Sequence, residues 1–398
     1  MSWAKARAEV ADALHVARGP RRCKLQRLDW FLSRHPPHAP VFNFGDELNV
    51  DLAVALLGLQ EHEELRWSQQ ERAAPTGARR RVLAIGSVLG FAMPGDVVIG
   101  AGFKVSIASM LAKRPDQVLV TTPRAFAANA SRLLAVRGAH TCAHLRALHV
   151  PRCPLLLGDP GLAVPLIAPS FASLGVAPRA RTWAAPRTLC VMPHERDAAI
   201  RAQAELLASQ RDAALRGCHH GSPRRANGES DRSASSTGEG VLSGEETRGP
   251  RCANVTQVQL VLPGSRPRVP PNATAAALAG CDLVAASALH GIIVADALRV
   301  PAAWLGTPAA PSSSRDHRTK RLERSQPDFK YEDYFSAFAI EPWRLTTIEE
   351  ALALLDDPRN RNSTLLRPRF TLDELKQFAI AFVRAFPYDQ VCEWMDDV

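Results

Sequence analysis

The stretch Asp282–Leu305, DLVAASALHGIIVADALRVPAAWL, constrains the fold more than any other part of the chain. Asp282–Ala286 is a short apolar run. Leu289, Ile292, Ile293, Ala297 and Leu298 fall at helical spacing, Pro301 stops that helix, and Ala302–Leu305 is apolar again. Strand, helix, strand is how a parallel sheet buried on both faces is built, so the pattern predicts an α/β domain. His290 falls at the strand-to-helix turn, where the carboxyl edge of a sheet and the positive end of a helix together make an anion site. It is a candidate for chemistry, set against the reading of a satisfied structural histidine.

At 398 residues the chain exceeds one ordinary core and predicts two domains. A hydrophobic content of 46% supports globular cores. No apolar run approaches the roughly 20 residues of a bilayer span, which predicts no transmembrane segment. The N-terminal stretch MSWAKARAEVADALHVARGPRRCK lacks an apolar h-region. It reads as an amphipathic helix packed on the domain, or as an Arg-rich targeting segment, and leaves the compartment open between an organelle and the secretory pathway. The formal charge of +9 is spread along the chain without the aromatic interleaving of single-strand binders, so no nucleic-acid partner is expected, although charge alone suits an anionic small substrate, an anionic polysaccharide and a polynucleotide equally. The eight cysteines never form C-x-x-C, so they predict no zinc site and read as reduced thiols, although Cys218 and Cys252 bracket a polar insert and could cross-link in an oxidising lumen.

In chain order, the segment 1–40 is a helical lead ending in His35-Pro36-Pro37-His38-Ala39-Pro40. Val41–Phe44 reads as a strand, Gly45 as a turn, and Asp46 or Glu47 as the start of a helix carrying Leu48, Leu52 and Leu56, so Asn43–Asn49 lies at a strand-to-helix turn. Further strands are expected at Arg81–Gly86, Val97–Phe103, Gln117–Thr121, Leu133–Val136 and Leu155–Leu157, with a helix from about Thr141 to Leu148 and a structural turn at Gly158-Asp159-Pro160-Gly161. Gly100-x-Gly102 lacks the third glycine of a dinucleotide fingerprint and no acidic residue closes a suitable following strand, which argues against a nicotinamide cofactor. The pattern predicts a first doubly wound domain over 41–165, a linker over 166–186 and a second domain over 187–345. In that second domain His194 again follows a strand, Thr188–Met192. Residues 211–250 are Gly-, Ser-, Arg- and Glu-rich and read as a disordered insert. Helices at Ile348–Leu355 and Leu372–Phe386 belong to a C-terminal segment, 346–398, that packs back across the domains.

Taken together the motifs resemble the polysaccharide pyruvyl transferase family. The matching pieces are Asn43-Phe44-Gly45-Asp46-Glu47-Leu48, Gly95-Asp96-Val97-Val98 with Gly100 and Gly102, Val136-Arg137-Gly138 with Thr141, and Gly158-Asp159-Pro160. They continue with Pro193-His194 and Asp197, Ser287 with Leu289-His290-Gly291, and Lys330 with Asp333-Tyr334. Each is short; their shared order over about Val41–Phe335 carries the likeness. The resemblance implies two Rossmann-like domains facing a cleft, similar to the glycosyltransferase B fold. It also implies transfer of pyruvate from phosphoenolpyruvate to two hydroxyls of a saccharide acceptor, giving a cyclic ketal and phosphate, with no metal and no cofactor beyond that donor.

Under this reading His290 and His194 are the catalytic candidates, His290 binding the donor phosphate or acting as general acid. Arg137, Arg196, Ser287, Gly291 and Lys330 would hold the donor, and Asn43 and Asp46 would face the acceptor. The chain departs from the pattern at Ala288, where many relatives have Arg, so that either another cation, such as Arg318 or Lys320, supplies the missing charge or the donor differs. Two other functions remain open. One is a nucleotide-sugar glycosyltransferase, which would need Glu332 or Asp333 to hold a ribose. The other is a catalytically weak carbohydrate-binding relative.

Overall fold

The structure, a computed structural model, describes residues 1–22, 28–31, 44–59, 67–68, 80–89, 92, 96–104, 133–148, 150, 152–172, 174, 187–194, 197–220, 256–262, 269–306 and 328–394. The chain opens with helix α1 (Trp3–Arg18), whose first turn is capped by Ser2, and a short strand β1 (Arg21–Arg22). The first sheet takes β2 (Leu28–Phe31), β3 (Trp67–Ser68), β4 (Arg80–Leu83), β5 (Val97–Ile99), β6 (Leu133–Val136) and β7 (Leu156–Leu157). Helix α2 (Phe44–Leu57) follows β2, α3 (Ala139–Ala147) follows β6, and a 3-10 turn at Pro160–Leu162 leads into the short α4 (Val164–Ile167).

The second sheet takes β8 (Thr188–Met192), β9 (Gln257–Leu260), β10 (Leu283–Ala286), β11 (Ala302–Leu305) and β12 (Arg344–Leu345). Its helices are α5 (Ala198–His220), α6 (Pro271–Ala279), α7 (Leu289–Ala297), α8 (Phe329–Ser336) and α9 (Ile348–Asp356). The chain closes with α10 (Leu372–Ala385), α11 (Tyr388–Val391) and β13 (Glu393–Trp394). All neighbours within each of the two large sheets are parallel. The strand orders are β3-β2-β4-β5-β6-β7 and β12-β11-β10-β8-β9. The expected α/β architecture of two parallel sheets is therefore present, compatible with two Rossmann-like domains. Each sheet starts in its interior, adds its second strand on one side, then reverses and grows on the other.

The opening stretch behaves as its pattern requires. Every residue of β10 and β11 is buried, and so is all of α7 except His290. A helix this apolar all round has to lie inside the protein. Burial of Leu289, Ile292, Ile293 and Val294 is worth about 1.5–3 kcal/mol each, which fixes α7 firmly beneath the sheet edge.

Several expectations change. Phe44 is already helical, so Val41–Phe44 is not a strand through its last residue; positions 41–43 lie outside the described residues, as does Gln117–Thr121. The stretch read as connector begins inside the core, because Pro165, Leu166, Ile167 and Phe171 are all buried. Its Pro and Ala content reflects short helical turns started by proline at Val164–Ile167 and Pro169–Phe171, rather than an exposed linker. The insert expected from Arg211 begins later, since α5 runs through His220; residues 221–255 lie outside the described residues. The reading of reduced thiols is also corrected. Cys142 pairs with Cys153, and Cys190 pairs with Cys281. Neither pair was visible as a spacing, because Cys190 and Cys281 meet only when β8 and β10 lie side by side. A Cys218–Cys252 link lies outside the described residues.

The two halves are tied by α8 and by the chain ends. Helix α3 of the first half starts at Gly138, which has no side chain to cap it. Helix α8 supplies the cap instead. The Asp333 carboxylate accepts the Thr141 N–H and hydroxyl, each at 2.7 Å, and Ser336 Oγ accepts the Ala139 N–H at 2.9 Å. Glycine is needed at 138, because a Cβ there would lie 1.7 Å from the Asp333 carbonyl oxygen. At the other end α10, opened by a Thr371/Glu374 capping box, lies along α1. Lys376 bridges to Glu9 at 2.7 Å, and β1 pairs antiparallel with β13.

Candidate functional site

In open α/β sheets a ligand crevice forms at the carboxyl ends of the strands where the order reverses. That point in the second sheet lies between β8 and β10. Of the described residues, His194 and Asp197 follow the strand on one side and Ser287 to His290 follow the strand on the other. Ser287 fastens the two turns together: its hydroxyl accepts the His194 N–H at 2.8 Å and donates to the Asp197 carboxylate. Its own N–H donates to the Met192 carbonyl at 3.1 Å, and its carbonyl accepts from the Tyr331 hydroxyl. Tyr331 is in turn stacked on Trp304, with ring centroids 4.4 Å apart. Ser287 is thus a rigid corner, and its hydroxyl is already committed.

The reversal in the first sheet lies between β2 and β4. Asn49, buried in α2, crosses it by donating to the Ile85 carbonyl and accepting the Ile85 N–H, both at 2.9 Å. This holds the start of α2 against the turn after β4. The two reversal points meet at His290. A Cβ on Gly45, in the first turn of α2, would lie 2.2 Å from His290 Cε1 and 2.3 Å from its Nδ1. The imidazole therefore lies against bare backbone of the opposite half. Only glycine leaves it that room.

His290 Nε2 is enclosed and has no hydrogen-bond partner among the described residues. Burial lowers the pKa of this ring, and electrostatic repulsion by Lys330, Arg137 and His194 lowers it further, to about 3. The imidazole is accordingly neutral across the physiological range. A buried polar atom with no partner among the described residues requires an explanation, and the cations around the ring suit an anion beside it.

Arg137 has a different setting from the one expected. It is fully buried, and its guanidinium donates to Asp333 at 3.0 Å, to Ser87 Oγ at 2.7 Å and to the Phe103 carbonyl at 2.5 Å. These bonds make it a fixed charge behind the site and a bridge between the halves. It acts on His290 through its field. Of the Lys330–Tyr334 motif, Asp333 and Tyr334 are likewise structural. The Tyr334 hydroxyl donates to buried Asp296 at 2.9 Å, and Asp296 also accepts from Arg369 at 2.6 Å. Lys330 is half-buried, with Nζ 4.9 Å above the Tyr331 ring.

Asp159 was read from sequence as part of a turn, and the structure shows more. It is fully buried at the carboxyl end of β7; Oδ1 accepts the Gly161 N–H at 2.9 Å, while Oδ2 has no partner among the described residues. Burial raises its pKa to about 6, against the opposing pull of the Gly161 N–H and of Arg137. The turn it caps abuts α7 one helical turn from His290, since a Cβ on Gly161 would lie 2.9 Å from Ile293 Cγ2. The signal in the sequence was Asp between Gly and Pro at a strand end. That signal is common to turns with no other role.

The structure thus gathers His290, His194, Ser287, Lys330 and Arg137 around one junction and brings the Gly45 turn against it. Gly291 lies close against β8, since a Cβ there would lie 2.6 Å from Met192 Sδ. Asn43 and Arg196 lie outside the described residues, as do the Asp46 side chain, Arg318 and Lys320. Ala288 occupies the N-cap of α7 and gives no side-chain cap. Among the described residues no group of His, Cys, Asp and Glu is arranged to hold a metal ion. No helix among them is long and apolar enough to cross a membrane. No protein-family model matches the chain, no curated protein matches it, and no solved structure matches it at the significance required.

Proposed function

We propose that the chain is a transferase that moves pyruvate from phosphoenolpyruvate onto two hydroxyls of a saccharide, and that its halves form a cleft of the glycosyltransferase B kind. The observation that carries this reading is the enclosed, unpartnered Nε2 of His290, set where both sheets reverse and surrounded by Lys330, Arg137 and His194. A phosphate or carboxylate bound there would face a helix N-terminus and fixed positive charge.

The chemistry asks for two additions and one departure. The first acceptor hydroxyl adds to C2 of the donor while a proton reaches the methylene, which becomes the methyl group. The second hydroxyl then displaces phosphate, which leaves with the remaining proton, and the ketal closes. By itself the His290 ring is neutral. A multiply charged donor reverses the local field and raises the affinity of the ring for a proton, so the acid arrives together with its substrate. His194, at the facing turn, is the candidate base. Asp159, with a pKa near 6, is a second proton carrier behind the site. Arg137 and Ser287 position the site. Arg196, Lys330 and Gly291 remain the donor-side candidates, with Asn43 and Asp46 toward the acceptor.

The nucleotide-sugar alternative needs Glu332 or Asp333 free to hold a ribose. Asp333 is bonded by Arg137 and Thr141, which disfavours it. Ala288 favours the third reading, a binding protein without turnover. Incubating purified protein with phosphoenolpyruvate and a galactose- or mannose-bearing glycan distinguishes the three. Phosphate release that disappears in His290→Ala supports pyruvyl transfer. Glycan binding with no release from any donor supports the binding protein, and turnover of a nucleotide sugar would replace both readings.

A further inference from the structure

Beyond the site, we infer that Asn362 carries an N-linked glycan and that the chain matures in an oxidising, glycosylating compartment. Two independent observations support this. The first is in the sequence: of the eight asparagines, Asn129, Asn254, Asn272 and Asn362 each stand two residues before Ser or Thr with no proline between, as Asn129-Ala-Ser, Asn254-Val-Thr, Asn272-Ala-Thr and Asn362-Ser-Thr. That tripeptide is the acceptor for N-glycosylation and marks surface loops of secreted proteins. The second is in the tertiary structure. Cys142 and Cys153 lie 5.5 Å apart at Cα, and Cys190 and Cys281 lie 5.8 Å apart, both within the span a disulfide requires. Disulfides that persist belong to oxidising compartments.

The fold then separates the acceptors. Asn362 ends an exposed 3-10 turn, Pro358–Asn362, in the connection between α9 and α10; both Asn362 and Thr364 are exposed. Asn272 lies in α6, where its Nδ2 donates to the Ser170 carbonyl at 3.2 Å and Thr274 is buried. A sugar on Asn272 Nδ2 would displace that contact between the halves, whereas one on Asn362 projects into solvent. The transfer needs a polyisoprenyl diphosphate-linked oligosaccharide as donor. The Nδ2–C1 bond forms, the C1–O bond to diphosphate breaks, the lipid diphosphate leaves, and the amide gives up one proton. Asn129 and Asn254 lie outside the described residues.

The test uses the full chain isolated from its native cells. Treatment with a glycosidase specific for Asn-linked glycans in heavy-oxygen water should convert Asn362 to labelled Asp, seen by peptide mass spectrometry, and leave Asn272 unlabelled. Thr364→Ala should lose one glycan's worth of gel mobility shift. Alkylation before reduction should leave Cys142, Cys153, Cys190 and Cys281 unmodified. An Asn362 peptide recovered without sugar overturns the inference, as does a glycan on Asn272 in its place or free thiols at all four cysteines.

Discussion

At the scale of single residues, the site depends on two buried groups whose titrations oppose each other. Asp159 has a raised pKa, so between about 4 and 6 the folded state binds more protons than the unfolded one, and this group's contribution to stability falls as pH rises through that window. His290 has a lowered pKa, so between about 3 and 6.5 the unfolded state binds the extra proton, and stability rises with pH. In urea denaturation across pH 3–7, Asp159→Asn should therefore gain on the wild type as pH increases from about 4 to 6. His290→Gln should gain on it as pH decreases below about 6.5. Parallel profiles for either variant and the wild type would show that the group is not held in its buried state. Gly45 gives a sharper test of the contact between the halves. Alanine is the better helix former by about 1 kcal/mol, yet its Cβ would occupy the place of the His290 ring. Under the proposed pyruvyl transfer, Gly45→Ala should leave the melting temperature within a few degrees of wild type and reduce phosphate release from phosphoenolpyruvate by roughly tenfold or more, the effect of displacing a reacting group by about 1 Å. Unchanged turnover would separate His290 from the chemistry.

At the scale of elements, α8 does the work that a sequence reading assigns to a ligand clamp. Its Asp333 joins Arg137 and the start of α3 in one buried network. Breaking one side of a buried ion pair costs about 3–5 kcal/mol, because the other charge is left uncompensated, whereas replacing both with apolar residues costs far less. Arg137→Met and Asp333→Leu should each lower stability by about that amount in guanidinium denaturation, and the double variant should recover a large part of it. Additive losses in the double variant would mean that the two side chains are not coupled. Arg137 and Asp333 stand out in the sequence as charged residues near glycines, and that pattern fits a clamp as well as a strut. Only the approach of Asp333 to Gly138 decides between them.

At the scale of the whole molecule, the two sheets are held by α8, α10 and the pairing of the chain ends, and the second sheet is cross-linked within itself. The Cys190–Cys281 bond closes a loop with a sequence separation of 91; such a link typically contributes about 2–4 kcal/mol. Reductant should lower the melting temperature of the wild type by several degrees. It should lower that of a Cys190→Ala/Cys281→Ala variant less, and an equal effect on both would assign the loss to Cys142–Cys153. The sequence by itself determined the element types and the class of fold. Apolar runs bounded by Gly and Pro read as buried parallel strands, and the helical spacing of Leu289–Leu298 admitted no other placement. It also located His194 and His290 at strand ends, since position along a β-α unit is a local property. What the tertiary structure decided was which of those ends meet and which charges remain for a ligand. The strand orders put both turns at points of reversal, the backbone of Gly45 closes over His290, Arg137 is taken up by Asp333, Asp159 keeps an unpartnered oxygen, and the cysteines pair. Each of these depends on contacts between residues tens to hundreds of positions apart, whose energies no local pattern records.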